Sequence, residues 1–367
     1  MLSRNFIRYY SSATSATAGA TGIKPFPLLM DILPSKRAIN RLLFDFDARL
    51  SYAKYIKTLE PIYENLQKAE PEEYTLPKKV FGSDLLLFQK ILSEIRSRTH
   101  TSNKYLVKLE DELIEKSAEM GNRDALTILS FRALKDKQND EFTKEDQKAA
   151  QDYIDKLVEL KHPLVFKMLA DYQFNEGHHT EAISNYTKFL NFDKDSLLAS
   201  QVYQILGVIM FSQKLLKQSK VLFEKSIALA PVQKCAQSHF YLGVLNELDP
   251  IRARYHFELS SSSGFLESFK NLGFLELNYF KNVRKAECWF DLGCQVGDFD
   301  CFVGKFDILF LRKEYEKAWD IYTNFPEENK IKFTSVRKEK LSKVEQIVSQ
   351  LKQNQQADEA SADRWTA

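Results

Sequence analysis

The sequence predicts an all-α fold built as a solenoid of stacked antiparallel helix pairs, and three observations support it. The 367 residues include only 12 Gly and 10 Pro, and this composition, rich in Leu, Lys and Glu, favours helices. A Leu-Gly pair recurs, with successive leucines 37, 36 and 30 residues apart, which is the period of helix-pair repeats. The pairs are Leu206-Gly207, Leu242-Gly243 and Leu272-Gly273, and a weaker version, Leu169-Ala170, precedes them.

Large side chains accompany each small residue of these pairs. An aromatic residue or a histidine precedes each Leu by three positions, as Tyr203 and Phe269 do, and a second helix then carries Phe189, Phe223 or Phe290. Since a small residue lets a second antiparallel helix approach, we expect these large side chains to fill the space around it. Such a stack has a long concave surface and no built-in reaction chemistry, so it favours a binding protein.

The first 22 residues have the composition of a mitochondrial presequence. They contain Arg4, Arg8 and many hydroxyl side chains, and no acidic residue occurs before Asp31. A disordered N-terminal tail is the alternative interpretation. A secretory signal is disfavoured because the segment has no apolar core of about 7–15 residues.

Residues 23–103 are predicted to form an N-terminal helical region. One helix begins after Ser35 and carries Ile39, Leu42 and Leu43 on one face, and a second is expected to break or kink at Pro61. The regular helix pairs then occupy residues 104–326, where Pro326 ends the array. A capping helix over 327–353 closes the open end of the stack, and residues 354–367 form a disordered tail.

Charge and cysteine usage exclude several classes of function. Losing Arg4 and Arg8 from 52 basic and 50 acidic side chains leaves 50 of each, so the mature chain attracts phosphate weakly and nucleic acid is not a favoured partner. The four cysteines match no zinc module and are expected to be free thiols. A redox or metal site formed by Cys288, Cys294 and Cys301 is the less favoured alternative.

No catalytic, cofactor-binding or metal-binding motif is found, so the sequence predicts a protein that is not an enzyme. The chain lacks the glycine-rich nucleotide motifs, the HExxH zinc motif and the GxSxG nucleophile motif. His178 and His179 lie in a polar turn without an evident third ligand, which favours solvent-exposed turn residues over a metal site.

The repeats resemble tetratricopeptide repeats and, near the C terminus, the related Sel1-like repeats. The tetratricopeptide resemblance is carried by Gly177, Ala182, Tyr186 and Phe189 and continues in the next repeat. The Sel1-like resemblance is carried by the segment from Leu272 to Asp298. What this implies is a right-handed superhelical solenoid, with the N-terminal helical extension at one end and the capping helix at the other.

Three blocks of the chain look like a family of fungal mitochondrial export factors. They are INRLLFDFDARLSY (Ile39 to Tyr52), LTILSF (Leu126 to Phe131) and LGFLELNYF (Leu272 to Phe280). The resemblance implies a peripheral protein on the matrix side of the mitochondrial inner membrane. It also implies a role in exporting the C-terminal tail of cytochrome c oxidase subunit two. The implied partners are that tail, an Oxa-type insertase, or both.

The first helix of each pair is expected to line a peptide-binding groove. Positions two before, two after and five after the recurring Leu face this groove, and they are largely apolar and aromatic with a few charges, which suits an extended or amphipathic peptide. The alternative is that Phe211 and Phe274 are core residues. The candidate groove residues are Lys167, Asp171, Phe174, Gln204, Val208, Phe211, Phe240, Val244, Lys270 and Phe274.

Two further interpretations stay open at this point. Residues 23–50 combine an apolar segment with Lys36, Arg37 and Arg41, so they can rest on an anionic membrane or pack over the first repeat, and packing is slightly favoured. The alternative function is a mitochondrial translation activator that binds messenger RNA through the groove, which the near-neutral mature charge disfavours.

Overall fold

The computed structural model describes residues 27–68, 74–135 and 144–363. All regular secondary structure in these residues is helical, which confirms the predicted fold class. The predicted presequence lies outside the described residues. The chain divides into two compact units, Met1–Phe189 and Leu190–Ala367.

The first unit contains short α1 and then eight longer helices among its described residues. Helix α3 is continuous through Pro61, where the sequence predicts a break or a kink. The last helix crosses the boundary to the second unit. The helices are α1 (Leu29–Ile32), α2 (Lys36–Asp45), α3 (Tyr52–Asn65), α4 (Gly82–Thr99), α5 (Lys104–Glu119), α6 (Arg123–Lys135), α7 (Lys144–Glu159), α8 (Pro163–Asn175) and α9 (His179–Phe192).

The N-terminal helices of this unit share one apolar core. Helix α2 begins after Ser35, as predicted, and buries Ile39, Leu42 and Leu43. These side chains join a cluster that includes Phe88 of α4 and buried leucines of α3 and α5. The apolar spacing of each helix therefore explains which face it turns inward.

The second unit contains four helix pairs followed by one long helix. The two helices of each pair pack together, and each pair packs against the next. The pairs are α10 (Leu197–Ser212) with α11 (Leu216–Leu229), α12 (Ala236–Leu245) with α13 (Pro250–Ser262), α14 (Glu267–Asn278) with α15 (Val283–Gln295), and α16 (Phe299–Leu311) with α17 (Tyr315–Thr323), before α18 (Glu327–Asp363).

Each recurring glycine of this unit lies against an aromatic ring of its partner helix. A methyl group added at Gly207 would lie 2.6 Å from the ring of Phe223, and one at Gly243 would lie 2.6 Å from the ring of Phe257. Methyl groups at Gly273 and Gly304 would both overlap the ring of Phe290. The glycines therefore permit the close helix approach that the sequence predicts.

A glycine at position 304 of α16 also lies against an aromatic ring. It follows Val303 rather than a leucine, so a search for Leu-Gly pairs does not detect it. The ring belongs to Phe290 of α15 in the preceding pair, so this glycine allows the third and fourth pairs to approach each other closely.

Helix α18 covers the last pair; it begins at the residue predicted for the cap, and its C-terminal end differs from the prediction. It begins at Glu327 and continues to Asp363, into the segment for which the sequence predicts disorder. That segment contains four Ala and two Gln and no Pro or Gly, so nothing in it ends a helix already begun. Arg337 has non-helical backbone angles (φ −130°, ψ 29°), so α18 is two helical stretches joined at a kink.

Candidate peptide-binding groove

The ten predicted groove residues all lie on the first helix of a helix pair, and all ten are half-buried. Such side chains contribute one edge to the packing between helices and expose another to solvent. In the first unit, α8 carries Lys167, Asp171 and Phe174. In the second unit, α10 carries Gln204, Val208 and Phe211, α12 carries Phe240 and Val244, and α14 carries Lys270 and Phe274.

In the first unit, Asp171 is held by two neighbours. Its carboxylate pairs with Lys167 one turn earlier (Nζ to Oδ2, 2.7 Å) and accepts a hydrogen bond from the Tyr186 hydroxyl of α9 (2.7 Å). Burial, with the adjacent Asp171 carboxylate, raises the pKa of Tyr186 well above its ordinary value, so the hydroxyl stays protonated and donates. Phe174 lies beside His179 with ring centroids 5.5 Å apart. The sequence therefore predicts three residues that the structure brings to one face of α8.

In the second unit, polar side chains connect the first helices of neighbouring pairs. The Gln204 amide nitrogen of α10 donates to the Gln237 amide oxygen of α12 (2.9 Å), and the Ser238 hydroxyl donates to the Gln204 oxygen (3.2 Å). Lys270 of α14 pairs with Asp300 of α16 (Nζ to Oδ2, 2.9 Å). This hydrogen bond raises the pKa of Lys270, so its ammonium stays charged.

Aromatic side chains form a second set of contacts along the same helices. The ring of Phe211 lies 4.9 Å from that of Tyr241, which in turn stacks on Phe223 at 5.0 Å with nearly parallel planes. Phe240 packs on Phe265 at 5.0 Å. Phe274 meets Phe290 edge to face at 5.0 Å. Since each ring is anchored on one side, its exposed edge is held in a fixed place.

These contacts combine the two roles that the sequence left open for the aromatic residues. Phe240 and Val244 pack at the edge of the cluster formed by Ala253, Phe257 and Leu272. Phe274 packs at the edge of the cluster around Phe290. None of the three is fully buried, so each belongs to the core on one side and to the surface on the other.

Three half-buried residues that the sequence pattern does not single out also belong to this surface. Tyr241, Gln237 and Asp300 each contact a predicted groove residue. Tyr241 directly precedes the recurring Leu242, where Leu206 and Leu272 are preceded by Ile205 and Asn271, so periodicity does not select it. Its position beside Phe211 depends on how two helix pairs stack, which only the structure shows.

The arrangement offers hydrogen bonds and aromatic surface rather than reaction chemistry. The described residues contain no group of three or more His, Cys, Asp or Glu side chains that could hold a metal ion. Burial raises the pKa of Cys294 to about 11, so this thiol is protonated at neutral pH. In the described part of the chain, none of the helices has the length and apolar character needed to cross a membrane.

Solved structures with some likeness to this chain include two helical proteins. PilF of Pseudomonas aeruginosa is 17% identical, with a TM-score of 0.45, covering 58% of this chain and 96% of its own. Yeast Tom70 is 13% identical, with a TM-score of 0.40, covering 92% of this chain and 70% of its own. Both TM-scores are below 0.5.

Sequence comparison gives a closer relationship. A family model described as the MSS2 N-terminal domain matches residues 25–122. The Saccharomyces cerevisiae protein named "Protein MSS2, mitochondrial" is 33% identical over 300 residues, which cover 79% of this chain and 84% of the yeast protein. Because the identity extends over most of both chains, the chain belongs to the MSS2 family.

Proposed function

We propose that this protein is a non-enzymatic assembly factor of cytochrome c oxidase on the matrix side of the mitochondrial inner membrane. It helps to translocate the C-terminal tail of subunit two. Two findings support a mitochondrial role: the relative over most of the chain is named as mitochondrial, and the first 22 residues have presequence composition. The observation that carries the proposal is the row of half-buried groove residues on α10, α12 and α14, the successive first helices of the second unit.

The groove of the second unit suits an extended polypeptide. The exposed edges of Phe211 and Tyr241 offer apolar contact, and neighbouring amides offer hydrogen bonds to a peptide backbone. The Gln237 oxygen is taken by Gln204, while the Gln237 nitrogen has no partner among the described residues and can donate to a peptide carbonyl. Lys270 is neutralised by Asp300, so the groove selects by shape and hydrogen bonding more than by net charge.

The direct partner is the exported tail, an Oxa-type insertase, or both. A tail that crosses the membrane is unfolded, so its backbone groups are free to pair with the groove. Groove binding would keep such a segment from collapsing before it reaches the insertase.

The first test is the topology of subunit two in cells that lack this protein. Without it, we expect the C-terminal tail to stay on the matrix side, where protease added outside the inner membrane cannot reach it. A tail that is exported as in wild-type cells contradicts the proposal.

The second test locates the contact. A photocrosslinking amino acid placed at 211 or 274 in isolated mitochondria should capture the tail or the insertase. The same amino acid at position 255 serves as the matched control, because Tyr255 is exposed on the second helix α13. Equal crosslinking from all three positions contradicts the groove. Capture of messenger RNA from 211 and 274 supports the translation activator instead.

A further inference from the structure

A cationic cavity lies in the first unit, apart from the groove. It has a volume of about 420 Å³ and opens between α2 and α4. Arg37 and Arg41 of α2 and Arg98 of α4 line it, and Ala38, Leu42 and Ile95 give it an apolar wall. Among the residues that the structure describes, none of those lining this cavity is acidic.

The charges of the cavity are poorly compensated. Arg98 pairs with Glu94 (Nε to Oε1, 2.9 Å), but within the described residues Arg37 and Arg41 have no carboxylate within ion-pair distance. These two arginines lie one helical turn apart and are exposed. Guanidinium groups bind phosphate oxygens through two parallel hydrogen bonds, so three of them around one cavity suit a phosphate group.

The position of the cavity on α2 adds to this preference. Ser35 is the N-terminal cap residue of α2 and also lines the cavity, and its side chain makes no capping hydrogen bond. The positive end of the helix dipole therefore points toward the same space as the arginines.

An apolar side chain beside the arginines distinguishes a lipid from a free anion. Phe44 follows Arg37 by seven residues, so it lies on the same face of α2, and 85% of its surface is exposed. A helix face that combines basic residues with an exposed aromatic ring is typical of proteins that rest in the membrane interface. The apolar wall of the cavity offers a place for the glycerol and first acyl carbons behind a headgroup.

We infer that the cavity between α2 and α4 binds the phosphate headgroup of an anionic phospholipid, while Phe44 inserts among the lipid chains. The inference rests on the proposed membrane location and deepens it by naming the residues of contact. The sequence offered packing and membrane contact as alternatives for this segment, but the two use different faces of α2 and can occur together. Ile39, Leu42 and Leu43 face the core. Arg37, Arg41 and Phe44 face outward.

Flotation of the purified full-length protein with lipid vesicles tests the inference. We expect binding to vesicles of phosphatidylcholine with phosphatidylglycerol and little binding to phosphatidylcholine alone. A basic residue near an anionic surface contributes about 1 kcal/mol, so Arg37→Gln with Arg41→Gln should weaken binding roughly 25-fold. Phe44→Ser should make the remaining binding more sensitive to salt, because it removes the apolar contribution.

Lys57→Gln with Arg123→Gln is the matched control. It removes the same charge from two exposed positions of the same unit that do not line the cavity. The full-length chain is used throughout, so Arg4 and Arg8 contribute equally to every variant. Equal loss of binding in the control, or no loss in the arginine variant, overturns the inference.

Two further measurements separate other ligands. If inorganic phosphate raises the unfolding temperature through Arg37 and Arg41 while vesicles do not bind, the site takes a free anion and the lipid assignment is wrong. Binding of an RNA oligonucleotide through the same arginines, without vesicle binding, also overturns it. Vesicle binding is measured on the purified protein, so it can succeed even if the export of subunit two proves independent of this chain. Failure of the lipid inference and failure of the proposed function are therefore distinguishable.

Discussion

Phe290 shows how one side chain sets the spacing of three helices. Its ring is fully buried and lies between Gly273 of α14 and Gly304 of α16. Because the ring lies against a glycine on each side, any movement away from one helix brings it into the other. The close approach of these helices therefore depends on the absence of two methyl groups.

Substituting Gly273→Ala should destabilise the second unit. Overpacking costs about 1–3 kcal/mol, and a methyl group that overlaps a fully buried ring should cost about 2–3 kcal/mol. The better helix propensity of Ala offsets about 1 kcal/mol, so we expect a net loss of about 1–2 kcal/mol in the free energy of unfolding. Urea denaturation followed by circular dichroism measures it. Asn278→Ala, exposed on the same helix, is the control, and Phe290→Leu should restore part of the loss. Wild-type stability of Gly273→Ala would show that close packing is not the role of this glycine.

The histidines at positions 239 and 256 make the second unit sensitive to acid. Their Nδ1 atoms lie 3.1 Å apart, which requires at least one ring to be neutral. Burial lowers the pKa of His239, and it lowers the pKa of His256 to about 4 with help from His239, Lys220 and Arg252. The folded state therefore binds fewer protons than the unfolded chain between about pH 6.5 and pH 4.

Stability should accordingly be highest above about pH 6.5 and should fall as the pH decreases toward 4. Each histidine contributes at most about 1.4 kcal/mol per pH unit in this window. Urea unfolding at several pH values measures the slope, which His256→Gln should reduce. His178→Gln is the control, because 61% of the His178 side chain is exposed. If the slope of stability against pH is unchanged in His256→Gln and reduced in His178→Gln, then His239 and His256 are not the cause of the acid sensitivity.

At the scale of elements, α18 is fixed to α16 by one buried carboxylate. The Asp307 side chain is 9% exposed and accepts hydrogen bonds from Arg337 (2.8–3.0 Å) and Lys340 (2.7 Å). Apolar residues of α18 on either side of this cluster, Phe333 and Leu341, are buried. The kink at Arg337 lies at the cluster, so the change of helix direction coincides with its strongest polar contact.

Replacing Arg337 should loosen α18 without unfolding the pairs before it. Arg337→Gln leaves Asp307 with Lys340 as its main partner, and a buried carboxylate that loses hydrogen bonds costs about 1–3 kcal/mol. Hydrogen exchange of the α18 amides should become faster, while exchange in α10 and α11 stays as in the wild type. Lys338→Gln, at the exposed neighbouring position, is the control. Equal exchange in both variants would show that apolar docking alone holds α18.

The limits of this helix also show what sequence patterns can and cannot give. Leu341 and Val344 of this helix are buried, and their apolar spacing marks the face that packs. The predicted end at residue 353 differs from the structure because the apolar pattern stops there, while the helix continues to Asp363 through a stretch with three Ala and two Gln and no Pro or Gly. Periodicity indicates where a helix packs, and it does not indicate where the helix ends.

At the scale of the molecule, the fold was predictable because its signal repeats. Each Leu-Gly pair and its following aromatic residue carry the same packing information, so a weaker copy such as Leu169-Ala170 does not alter the fold class. The predicted groove residues are half-buried on the first helices, and their role in binding a peptide stays a prediction. Tyr241 and Asp300 were missed because their roles depend on contacts between successive pairs, which differ from one pair to the next.

The cationic cavity illustrates a different limit. Arg37 and Arg41 are visible in the sequence as a short basic stretch, but Arg98 joins them only because α4 packs beside α2. No local pattern links residues so far apart along the chain. The predicted presequence lies outside the described residues, so this targeting segment stays a prediction from composition.

The shared ring of Phe290 has a consequence for the order in which the second unit forms. In a repeat array each repeat contacts only its neighbours, so a terminal repeat can usually fold or unfold as an independent step. Here the ring of Phe290 in the third pair also packs against Gly304 of the fourth pair. We therefore expect the third and fourth pairs to complete their packing together, and a chain that ends before α16 should leave one side of this ring unpacked.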